Sequence, residues 1–163
     1  MIVVSDTTPL ITLMKAQQLQ LLHILFGEVR VPNAVYQELT SNLSFQSEID
    51  LIKSSKFIKI VSVQDQDTVS LIGRATGLDR GESEAIVYAD KQKADILLID
   101  EAAGRKVAMN MGLNISGSLG ILIKAYQRNV LSHDQFLKAI NDIRSSNRHI
   151  SEKLLNLAIS IAE

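Results

Sequence analysis

Short β-branched apolar runs alternating with helix-period segments predict an α/β fold: a central parallel sheet with helices on both faces, a three-layer α/β/α arrangement, followed by a helical tail. Three observations carry this. Residues 2–5 (IVVS) and 96–99 (ILLI) are short, mostly or wholly apolar runs, as strands buried on both faces require. Between them, apolar residues recur at three- and four-residue intervals. Beyond Leu131 only the helical period remains.

The elements follow in order. Residues 2–5 form the first strand. Thr8 reads as a cap, with Pro9 in the first turn of a helix bearing Leu10, Leu13 and Met14. Residues 19–26 are a second apolar helix closed by Gly27. Val29 and Val31 mark a short strand. Pro32 opens a helix with Val35, Leu39 and Leu43 on one stripe. Residues 44–55 are another helix, carrying Ile49, Leu51 and Ile52. The alternation in 57–63 (FIKIVSV) is a strand pattern. Residues 65–73 are a short helix, and 76–81 a polar turn with two glycines. Residues 82–93 form a helix with a small apolar face of Ala85, Ile86 and Ala89. After the strand at 96–99 come a helix over 101–111, a brief strand over 113–115, the loop Ser116-Gly117-Ser118 and a helix over 119–128. Ser132 and Gln135 make a capping box ahead of Phe136, Ile140 and Ile143. Ile150, Leu154, Ala158 and Ile161 define a last amphipathic helix. The expectation is one domain over 1–163, with a core over 1–130 and a helical extension over 131–163.

Composition narrows the function. The chain has 163 residues, 46% of them hydrophobic, enough for a substantial core. Seventeen Lys and Arg against eighteen Asp and Glu leave a net charge of −1, which argues against nucleic-acid binding by bulk positive charge. A bound cation would supply positive charge locally. With no cysteine, disulfides and thiolate metal sites are excluded. His23, His133 and His149 show no ligand spacing. No apolar run approaches the ~20 residues that span a bilayer. The start, MIVVSDTTPL, lacks the features of a signal peptide. A cytoplasmic location is the expectation.

Four acids stand where strands end or helices begin: Asp6, Glu38, Glu82 and Asp100. Asp6 directly follows the first strand and Asp100 the strand at 96–99, and in open parallel sheets sites form beyond the carboxyl ends of strands. Each acid also has an ordinary explanation. A short acid after a strand turns the chain or caps a helix. Glu82 with Asp79 fits a capping box, and Glu84 beside it is a candidate to share its role. Glu38 borders an apolar stripe, as a solvated helix face does. Facing carboxylates are costly unless a cation holds them, and Mg²⁺ and Mn²⁺ prefer oxygen ligands. The set therefore points to a metal-dependent nuclease.

These motifs, VVSDTTPLI around Asp6, VPNAVYQEL around Glu38, GESEAIVYA around Glu82 and ILLIDEAAGRKVA around Asp100, resemble those of PIN-domain ribonucleases, the group that includes VapC-type toxins of prokaryotic toxin–antitoxin pairs. The likeness covers roughly residues 1–130 and is similar to the branch with GE-x-E-A and an acid pair at the fourth position. Glu82 stands where many toxins have Asp, and Leu98 where Thr often stands two before the fourth acid. The resemblance implies Mg²⁺ or Mn²⁺ held by Asp6, Asp100 and Glu82. It implies phosphodiester hydrolysis in an RNA substrate, with Glu38 and Glu82 acting through water or orienting the nucleophile. Thr7, Glu84, Arg105 and Ser116 are then candidate supporting or phosphate contacts, although Arg105 could equally pair with Glu101 one helical turn away. A cognate antitoxin and a homodimer are the expected protein partners.

Two rival enzyme classes lack their marks. A haloacid-dehalogenase-type phosphatase wants a second Asp where Thr8 stands. A receiver domain wants adjacent acids near its first strand and a Lys after its last. A binding protein descended from the same fold is the remaining alternative, and its mark would be lost acids.

Overall fold

The computed structural model describes residues 1–41, 46–146 and 150–163. Five parallel strands form one sheet: β1 (Val3–Ser5), β2 (Val29–Pro32), β3 (Ile58–Val61), β4 (Ile96–Leu98) and β5 (Ile115–Ser116), in the order β3-β2-β1-β4-β5. The chain winds outward from β1 to β3, then returns to place β4 on the other side of β1. The direction of winding thus reverses between β1 and β4, the place where open parallel sheets bind ligands. Ser5 pairs with Leu98, and the Asp6 amide donates to the Leu98 carbonyl at 2.9 Å. The residues that follow these two strands therefore leave the same edge side by side.

Helices cover the sheet: α1 (Thr7–Lys15), α2 (Leu21–Phe26), α3 (Asn33–Ser41), α4 (Gln46–Ser54), α5 (Gln66–Thr76), α6 (Arg80–Lys91), α7 (Ala102–Asn110), α8 (Ser118–Gln127), α9 (His133–Ser145) and α10 (Glu152–Ala162). β1 and β4 are wholly buried, as their apolar runs predict. The edge strand β3 buries Ile58 but exposes both Lys59 and Ile60, so the expected alternation of buried and exposed residues is not kept along it. Leu10, Leu13, Ile86, Leu97, Leu122 and Phe136 are among the fully buried side chains.

Several boundaries move, each for a local reason. Asp6, not Thr8, is the cap of α1, so the first acid occupies the strand–helix junction itself. Pro32 ends β2 rather than opening α3. α5 continues to Thr76 and stops at Gly77, whose φ of 76° is the left-handed geometry glycine tolerates best. The expected turn over 76–81 is thus shorter, and Gly81 lies in the first turn of α6. Both capping boxes form: Asp79 with Glu82, and Ser132 with Gln135. β5 begins at Ile115, two residues later than expected. Leu43, the start of the 44–55 helix and His149 lie outside the described residues.

The tail is corrected at its last helix. α9 sends Phe136, Ile140 and Ile143 into the common core. α10 lies on α8 and α9. It buries Leu155, Ala158 and Ala162, while Leu154 and Ile161 remain about half exposed, at 50% and 45%. The buried stripe is rotated from the expected one because α10 meets two helices rather than the sheet.

Candidate active site

Asp6 is fixed between β1 and α1 and is only 1% exposed. The Thr7 amide hydrogen-bonds its carboxylate, but burial outweighs that bond and pushes its pKa up to about 8. The charges of Glu82, Asp79 and Glu38 add to the rise. Glu82, at the third position of α6, reaches back to the Asp79 amide at 3.1 Å while its own amide donates to Asp79 Oδ1 at 2.8 Å. Burial raises its pKa to about 7 against that bond, with Asp79 and Glu101 contributing. One oxygen on each acid, Asp6 Oδ1 and Glu82 Oε1, is buried without a hydrogen-bond partner.

Glu38 arrives from α3 and is exposed. It accepts from Thr7 Oγ1 at 2.8 Å and from the Gly81 amide. A Cβ at Gly81 would collide with this carboxylate, so the glycine is what lets α6 approach it. Partial burial raises the Glu38 pKa, with Thr7 and Gly81 opposing. Asp6, Glu38 and Glu82 thus share one electrostatic neighbourhood at the carboxyl edge.

Asp100 follows β4 but turns toward α8. Its Oδ1 accepts from the Ser118 amide at 2.7 Å and its Oδ2 from Ser118 Oγ at 2.9 Å. Arg105 donates to the Ile99 carbonyl at 2.8 Å; the alternative pairing with Glu101 gives way to this bond. Ser116 lies in β5 on the wall of an adjoining cleft of about 960 Å³, which Thr8, Asp100, Arg105, Met109 and Leu154 also line.

Glu84 does something different from Glu82. It is 3% exposed and faces the start of α3, where the Ala34 amide donates to its Oε1 at 3.4 Å. Arg80 stands 3.9 Å from its other oxygen. A buried carboxylate is tolerated there because a helix N-terminus and a guanidinium both favour it.

Two acids beyond the four candidates join the group. Asp79, whose spacing marks it as a cap, also acts through its charge on Asp6, Glu38 and Glu82. Glu101, the cap residue of α7, lies close enough to Glu82 to raise its pKa and accepts from Thr8 Oγ1 at 3.3 Å. The adjacent acids in LLIDEAA were the available signal for Glu101.

The donors here are all carboxylate oxygens, which suits a hard divalent ion. The two unpartnered oxygens fit such an ion, since a buried acid otherwise keeps its proton. Among the described residues, no group of three or more acidic or histidine side chains already stands in a ligating arrangement. Mutual repulsion and the bonds to Asp79, Thr7 and Ser118 turn the carboxylates toward protein partners.

A family model described as a PIN domain matches residues 2–163. No curated protein and no solved structure gives a significant match to the chain.

Proposed function

The chain belongs to the PIN-domain family, whose members are generally nucleases using divalent metals, and on that premise we propose that it is a metal-dependent endoribonuclease hydrolysing phosphodiester bonds in RNA. The observation that carries this is the pair of buried acids, Asp6 and Glu82, brought together from β1 and α6 with one unpartnered oxygen each. Asp6, Glu82 and the acid pair that begins at Asp100 would hold Mg²⁺ or Mn²⁺. Bound there, the ion supplies an activated water and charge stabilisation at the phosphate.

The chain's own residues do the rest. Thr7 and Gly81 hold the Glu38 carboxylate at the exposed rim of the cluster, where its oxygens can accept a proton from the attacking water. Arg105 and Ser116 lie on the cleft beside the acids, where an RNA phosphate can approach. Thr7 acts by orienting Glu38, and Glu84 by anchoring α3 against α6.

Two outcomes are expected of the metal test. Mn²⁺ or Mg²⁺ switches on cleavage of single-stranded RNA, and EDTA abolishes it. Metal at 100-fold excess over its Kd stabilises the fold by about 2.7 kcal/mol, a rise of roughly 5–10 °C in Tm. Cleavage that survives EDTA would remove the metal from the reading. A folded chain that binds RNA but never cleaves it would favour a binding protein instead, a reading supported by the acids' existing bonds to protein groups.

Gly81→Ala offers a separate check on Glu38. The clash falls on the end of a flexible side chain, and Ala is the better helix former by roughly 0.5–1 kcal/mol. Stability should therefore hold or rise while cleavage falls. Unchanged cleavage would show that the position of Glu38 is immaterial.

The finer role is that of a toxin held by a cognate antitoxin, in the cytoplasm, as a homodimer. In support stand the sequence resemblance and the exposed Leu154, Leu157 and Ile161 of α10 with Ile24 of α2, apolar surface of the kind that partners cover. Among the described residues no helix is long and apolar enough to cross a membrane.

A further inference from the structure

We infer that Glu101, rather than Asp100, is the acid of the β4–α7 corner that faces the divalent ion, and that Asp100 is a positioning residue that fixes the corner from behind. The inference rests on the nuclease reading above and sharpens it at one pair of neighbours.

Both oxygens of Asp100 are engaged by Ser118, at 2.7 and 2.9 Å. Ser118 is the first residue of α8, and its amide is one of the donors a helix leaves unpaired. Gly117, the cap of α8, makes no side-chain bond of its own, so an acid from β4 supplies the anion that a helix start favours. The corner is tight: a Cβ at Gly117 would lie 2.6 Å from Asp100 Oδ1 and 3.1 Å from Arg105 Nη1. Turning Asp100 onto a cation would strip the Ser118 amide of its acceptor.

Glu101 differs on each count. It caps α7 by position, yet its side chain makes no capping bond. It is exposed, and its bond from Thr8 Oγ1 is a long 3.3 Å. It neighbours Glu82 closely enough that its charge raises the Glu82 pKa. The start of α7 also faces the unpartnered Glu82 Oε1, since a Cβ at Gly104 would come within 3.4 Å of it. Neighbouring carboxylates repel unless a proton or a cation offsets their charge. A cation shared by Asp6, Glu82 and Glu101 answers the Glu82–Glu101 repulsion and both unpartnered oxygens, and it leaves the α8 cap whole. Glu101 is long and solvent-facing, so swinging it inward disturbs little.

Mn²⁺ binding to the full chain, followed by calorimetry or by the EPR signal of free Mn²⁺, separates the two acids. Glu101→Gln should weaken Mn²⁺ at least ~10-fold, the scale of perturbing a metal shell, with the metal-free Tm unchanged or raised. Asp100→Asn should lower the metal-free Tm and keep Mn²⁺ affinity near wild type. Ser118→Ala removes only a donor to Asp100, so it should also lower Tm and spare Mn²⁺ binding; it decides the matter if Asp100→Asn does not fold. Wild-type Mn²⁺ affinity in Glu101→Gln, or its loss in Ser118→Ala, would overturn the assignment. A wild-type chain that takes up no Mn²⁺ would overturn the metal reading itself, which is a different result.

Discussion

Asp6→Asn should abolish cleavage and at the same time make the metal-free protein more stable above neutral pH. The activity loss is expected to be ~10²-fold or more, the scale seen when a preorganised electrostatic group is removed. The stability gain follows from linkage. The Asp6 pKa is raised from 3.8 to about 8 on folding. Between those values the native chain holds a proton that the unfolded chain releases. Stability from this group is therefore present in full below the unfolded pKa and is lost as pH rises through the native one. Glu82, raised from 4.5 to about 7, acts in the same direction. Asn carries no charge to bury, so the variant escapes the Asp6 share, on the order of 5 kcal/mol at pH 9. Thermal melts of both chains in EDTA from pH 5 to pH 9 provide the measurement. A wild-type Tm that climbs with pH over this window would contradict the burial argument.

Phe136→Ala should cost about 3–5 kcal/mol, the range for removing a buried aromatic and leaving a cavity. Phe136 is 0% exposed and stacks in a tilted contact with Tyr126, ring centroids 5.2 Å apart. It belongs to α9, beyond the segment that carries the acids, yet it lies in the same buried cluster as β1 and β4. The loss is a large fraction of what a domain of this size holds in reserve. Urea unfolding gives the number, and a change under 1 kcal/mol would mean that α9 packs loosely on the rest. Removing residues 132–163 takes away Ile140, Ile143 and the α10 contacts as well, so the shortened chain should be insoluble.

What the sequence by itself determined was everything encoded within a few residues. ILLI reads as a buried strand, and its first three residues, Ile96–Leu98, form one that is buried throughout. Asp79 and Glu82 sit three apart before a small-residue helix, and the box closes as the spacing requires. Acids placed directly after two parallel strands must leave the sheet on one edge, which is why the shared edge of Asp6 and Asp100 is legible in the sequence alone. Element ends were less legible. α5 overran its expected end because helical hydrogen bonds tolerate Gly73 when Gly77 supplies the stop.

Only the tertiary structure decided which way those acids point. The direction of Asp100 is set by Ser118, a residue from another helix that no local pattern connects to it. Glu101 entered the cluster because α7 starts against Glu82. The role of Glu84 depended on the start of α3, fifty positions earlier in the chain. The α10 stripe turned because α8 and α9, not the sheet, lie beneath it. Periodicity and spacing fix which face or edge a residue occupies. A carboxylate's partners, and so its charge, are fixed by what folds over it from elsewhere in the chain, where burial outweighs every local preference.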